Sequence, residues 1–220
     1  MPDLSFIAIT LAAILFFYFG TGRNTGVLVV SLSWMVLVGV VSGAGFFEDE
    51  RSGLPKVMLG VNLPVILYVV YLYRQLNPDK IQQNWLLAVH ALRVLVEITL
   101  YRLFLDGKIP RIMTFEGWNF DILIGLTAIL LLAYRLYSGK GINRLFFRAW
   151  NIAGIVFLAI IVITAILSAP SPIQQLAFDQ PNIAVTRFPY IFLPAIVVPL
   201  VLLSHLLVLK SIGKQGSRRK

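Results

Sequence analysis

The amino-acid sequence predicts an all-α bundle of seven membrane-crossing helices, and three observations carry that reading. Hydrophobic residues make up 58% of the 220 residues and charged residues only 13%. The mean hydropathy is +0.83. Apolar runs of roughly 20 residues, the length that spans a bilayer, alternate with short turn-rich segments such as Asn77-Pro78-Asp79-Lys80. A water-soluble domain carries about 25% charged residues. This chain lacks the polar side chains to cover a wet surface, so its solvent is lipid.

The first run, residues 4–19, has neither the basic start nor the small-residue cleavage site of a secretory signal and reads as a retained helix. The further spans are read at 26–47, 55–73, 84–105, 120–137, 146–169 and 188–209. Residues 1–210 are thus expected to form one transmembrane domain and 211–220 a basic cytoplasmic tail. In the second span, Gly39-x-x-x-Gly43 with Gly45 suits close helix packing. Pro64 in the third, and Pro194 with Pro199 in the seventh, predict kinks. No internal repeat of the kind that underlies many transporters is present.

Orientation follows from Lys and Arg, which concentrate on the cytoplasmic side. One set of loops carries Arg51, Lys56, Lys108, Arg111 and Arg187. The other is more basic, with Arg23, Arg74, Lys80, Arg135, Lys140, Arg144 and Arg148, and the tail from Lys210 to Lys220. The C-terminus is therefore expected inside and, with an odd number of spans, the N-terminus outside. The net charge of +9 lies mostly in these loops and the tail. It suits the anionic lipid bilayer as a partner rather than nucleic acid. The absence of cysteine excludes disulfides, thiolate metal sites and iron–sulfur clusters.

Chemistry concentrates in two places. In the fourth span His90, Arg93, Glu97 and Tyr101 fall within about 80° of one another at 100° per residue, a single helical face. Charges inside hydrocarbon are costly. That face is expected to look into the bundle, with Arg93 and Glu97 paired directly at a spacing of four. The second place is the entry to the fifth span, with Glu116, Asn119 and Asp121, expected at the outer surface. The long outer loop before the seventh span adds Asp179 and Asn182. Together these residues outline an outward-facing polar pocket floored by Arg93 and Glu97.

No cofactor or metal is expected. His90 and His205 would have to hold one, and two imidazoles at similar depth specify neither haem nor metal. Lys210 sits only at the end of the last span, which excludes a mid-membrane retinal lysine. The sequence lacks H-E-x-x-H, G-x-S-x-G and a phosphate-cradling glycine loop.

Three stretches resemble an uncharacterised family of small bacterial integral membrane proteins: MTFEGWNFDIL at 113–123, LSAPSPIQQLAFDQPN at 167–182, and Phe188-Pro189-Tyr190 through Pro199 to Ser204-His205. The resemblance covers roughly the C-terminal half. It implies a bacterial cytoplasmic (inner) membrane and transfers no activity.

The functional expectation is a binding or transport protein for a small polar or amphiphilic ligand. Arg93 would hold an anionic group, Glu97 or Asp121 would exchange protons, and Tyr101, Glu116, Asn119, Asp179 and Asn182 would line the site. The alternatives are an enzyme on a lipid or isoprenoid substrate, with Glu97, Glu116 or Asp121 as general acid or base, and a scaffold for partner proteins.

Overall fold

A computed structural model describes residues 2–49 and 53–217. Arg51, Arg218, Arg219 and Lys220, which enter the charge argument, lie outside the described residues. Seven helical stretches follow one another, with no strand among the described residues. They are α1 (Pro2–Gly20), α2 (Thr25–Gly43), α3 (Gly53–Gln75), α4 (Gln83–Ala91 and Arg93–Leu105, joined through Leu92), α5 (Asp121–Ser138), α6 (Arg144–Ser168) and α7 (Leu193–Val197 continuing as Val198–Ser217). Five of them, α2, α3, α5, α6 and α7, are long and apolar enough to cross a membrane. Of the other two, α1 is a shorter apolar helix, and α4 is broken at Leu92 and carries Arg93, Glu97 and Arg102.

The helix ends follow from local chemistry. Asn24 caps α2 by accepting from the Val27 N–H at 3.2 Å. Asn143 caps α6, accepting from Leu145 and Phe146 at 3.0 and 3.1 Å. Gly139, at φ +65°, closes α5 in the left-handed conformation that glycine adopts without strain. Beyond residue 209, where the last span was expected to end, α7 stays helical to Ser217.

At the centre stands α7, 72% of whose apolar window is buried against 22–33% for the other four membrane-length helices. α4 packs between α1, α5 and α7, and α6 lies along α7. Two of the prolines follow widened turns. α3 widens to a π-helix at Met58–Asn62 just before Pro64, and α7 does so at Leu193–Val197 just before Pro199. In each, an N–H reaches back five residues, Leu63 to Met58 and Val198 to Leu193. The ladder is thus shifted past the proline, which has no N–H to give.

The segment between α4 and α5 does not stay at the end of the bundle. Ile109, Pro110, Met113, Thr114 and Asn119 are buried, and the chain turns back so that Asp121, the first residue of α5, meets Arg93. The rise from Arg93 to Leu105 is about 18 Å, so α5 begins roughly half a bilayer core below the end of α4. Phe120 against Phe157, in the middle of α6, marks the same level, with ring centroids 5.5 Å apart. Backbone hydrogen bonds within the turn, such as Trp118 N–H to Ile112 and Gly117 N–H to Thr114, satisfy the irregular chain. Gly117 is required there, because a Cβ would stand 2.5 Å from the Arg111 carbonyl oxygen.

A buried polar network between four helices

Arg93 is 3% exposed, and its guanidinium forms an ion pair with Asp121. The expectation of a direct Arg93–Glu97 pair is not met. The returning segment delivers Asp121 to the arginine, and Glu97 instead accepts from the Asn119 amide at 2.7 Å. Asn119 is held in turn. Its Nδ2 also donates to the Met113 carbonyl at 3.0 Å, and its Oδ1 accepts from the Asp121 N–H at 3.0 Å. The carboxylate of Asp121 occupies the first turn of α5, where the helix dipole favours negative charge.

On its other side Arg93 Nη1 lies 3.1 Å from His205 Nε2. A guanidinium only donates, so Nε2 is an acceptor and the proton sits on Nδ1. That N–H donates to Asn151 Oδ1 at 2.9 Å, and the Asn151 amide donates to the Phe147 carbonyl at 2.7 Å. The chain of partners from Asp121 to α6 is thus complete with a neutral imidazole. Three atoms break the pattern. Arg93 Nε is buried without a partner, and so are both ring nitrogens of His90. His90 stacks on His205, with ring centroids 3.9 Å apart, and meets Trp150 edge-on at 5.4 Å.

Two glycines make the closeness possible. A Cβ on Gly154 would stand 2.3 Å from His205 Cε1, and one on Gly125 would stand 2.8 Å from Val94 Cγ2 and 3.0 Å from the Val94 nitrogen. By contrast Gly43 and Gly45 face open space, and Gly39 meets the ring edges of Phe192 and Phe188. Close packing therefore lies at Gly125 and Gly154 rather than in the second-span glycine pattern.

The remaining candidates separate from this network. Tyr101 and Glu116 hydrogen-bond to each other at 2.9 Å away from the buried group, with Arg111 Nε 3.5 Å from Glu116. Asp179 is exposed on its loop. Asn182 is buried and fastens that loop, its N–H to Ser168 at 2.8 Å and its amide to Ala165 at 3.1 Å. Gln180 does the same, donating to the carbonyls of Phe104 and Ile109. Interhelical hydrogen bonding between His205 and Asn151, the reading the sequence favours over a shared haem, is present. The signal for Asn151 was an amide in a long apolar helix. A shared ion would need in-plane nitrogen lone pairs of His90 and His205 converging on one point. The rings are stacked side by side, and His205 Nε2 is taken by Arg93.

A family model described as a domain of unknown function (DUF8737) matches residues 55–212. That segment contains every member of the network. No curated protein and no solved structure matches the chain.

Proposed function

We propose a role in ligand binding or transport for this chain, which belongs to the DUF8737 family: an integral membrane protein, crossing a bacterial cytoplasmic membrane seven times with its N-terminus outside, that takes a small polar or amphiphilic ligand from the outer face. The observation that carries this reading is the buried Arg93–Asp121 pair at the recessed start of α5. Replacing a buried ion pair by apolar packing is often neutral or stabilising, so stability alone is a weak reason to hold one in lipid. Ionisable groups among membrane helices commonly line substrate and proton paths. A helix that starts at mid-depth presents its positive end to an anion.

The chemistry has two parts. Arg93 is incompletely satisfied, with Nε still free, and a carboxylate or phosphate on the ligand would displace Asp121 from it. One guanidinium faces two carboxyls, Asp121 and Glu97, so a single proton on the carboxyls leaves the cluster neutral. The displaced carboxyl takes up a proton, which couples anion binding to proton movement. Asn119 positions Glu97 for that exchange, and His205 with Asn151 holds the arginine from the other side.

Reconstituted vesicles loaded with a pH-sensitive dye test this directly. Small organic acids and phosphate esters added outside in turn should give a proton signal for one class, absent with Arg93→Leu/Asp121→Leu. A wild-type signal equal to that of empty vesicles for every class would overturn the transport reading. For the orientation, alkaline phosphatase fused after Lys220 should be inactive and a fluorescent protein there should glow; the opposite pair of results would invert it.

A further inference from the structure

A second site lies on the opposite side of α7. A crevice of about 210 Å³ opens between α2, α3 and α7. Its mouth is flanked by Val30 and Pro64, exposed on faces where Val29, Leu63 and Leu67 are also bare. In the membrane setting proposed above, those faces meet hydrocarbon, so only a lipid-soluble molecule reaches the mouth.

The lining is apolar except on one wall. Ser31 and Tyr68, from α2 and α3, both line it, and the Tyr68 hydroxyl and the indole N–H of Trp34 are buried without a partner. An unmet donor in hydrocarbon is costly, since no water is there to receive it. The volume falls below the roughly 300–1,000 Å³ of pockets that enclose a whole small molecule. It suits a head group and the first few carbons, with the tail left in the bilayer. The two π segments pack against each other beside it, and Pro64 and Pro199 line it. π segments occur often at functional sites because a widened turn opens space and adapts.

We infer that this crevice binds a lipid-soluble molecule bearing one hydroxyl or carbonyl at the end of an isoprenoid or acyl chain, the oxygen meeting Ser31, Tyr68 and Trp34. The site depends on the membrane setting and not on transport through the Arg93 network, so labelling and vesicle flux succeed or fail independently.

The test uses full-length protein in lipid nanodiscs and two photoreactive probes, a diazirine-bearing isoprenoid alcohol and a diazirine-bearing fatty alcohol of equal length. Labelling mapped by mass spectrometry should be saturable, competed by the untagged alcohol, and confined to peptides carrying Ser31, Trp34, residues 64–68 or residues 195–203. Whichever probe saturates names the chain type; saturation by both assigns recognition to the head. Val30→Trp, on an exposed face where folding is not at stake, should block the mouth and bring labelling to background. Tyr68→Phe should weaken half-saturation about threefold to tenfold, the effect of one hydrogen bond. Labelling that never saturates, spreads evenly over exposed helix faces, or is unchanged in Val30→Trp would overturn the proposal.

Discussion

The two sides of α7 handle the same environment in opposite ways. Toward α4, α5 and α6 the bundle encloses Arg93, Glu97, Asn119, Asp121, Asn151 and His205, each buried and joined side chain to side chain. Toward α2 and α3 it encloses an apolar crevice, and the irregularity is in the backbone, as two π segments and their prolines. In lipid a charge is tolerated only where its partner is fixed, so the polar side is locked by directional bonds. The apolar side has mainly dispersion to hold it, which leaves room for widened turns. Rigid recognition of charge and adaptable recognition of a chain are thus built on two faces of one helix.

The contrast breaks most visibly at Arg93 and Asp121. Arg93→Leu or Asp121→Leu alone strands a buried charge, at a typical cost of ~3–5 kcal/mol, smaller if lipid-embedded chains find other partners. Folded yield in detergent should fall sharply for each single change, and Arg93→Leu/Asp121→Leu should recover most of it. If both single variants express and melt like wild type, the pair is not the buried lock described above.

A middle-sized effect is expected at Gly154. Alanine there gains about 1 kcal/mol in helix propensity, but its methyl would overlap the His205 ring. Overpacking of that kind costs about 1–3 kcal/mol, so the clash prevails and the melting temperature should drop. A Gly154→Ala variant that melts higher than wild type would mean α6 and α7 are not in such close contact. The smallest effect belongs to the exposed pair, Tyr101 with Glu116. Tyr101→Phe and Glu116→Gln should each stay within about 0.5 kcal/mol of wild type in the same melt; a larger loss would draw that pair into the network.

Much of the fold was legible in hydropathy. The seven helical stretches appear where apolar runs were read, and most ends agree within a few residues, because turn-rich polar segments bound each run. The inward stripe was legible too, since His90, Arg93 and Glu97 are all buried, whereas Tyr101, a turn further on, reaches the exposed Glu116. The partner of Arg93 was not legible. Spacing of four favours Glu97, and nothing in the polar, turn-rich sequence between α4 and α5 signals that it folds back to carry Asp121 inward. That return depends on tertiary features: Gly117 passing against the chain at Arg111 and Ile112, and the amide of Asn119 bridging Met113 and Glu97. Similar depth for the two histidines could be counted from helix ends, but their stacking depends on Gly154, whose role only packing reveals.

The central claim is that the Arg93–Asp121 pair serves function rather than architecture. A deletion strain complemented with wild type or with Arg93→Leu/Asp121→Leu, followed by untargeted lipid and metabolite profiling, tests it most directly. The double variant should accumulate as folded protein yet leave the profile of the deletion strain unrepaired. A double variant that restores the wild-type profile in full would contradict the account and return the pair to scaffolding.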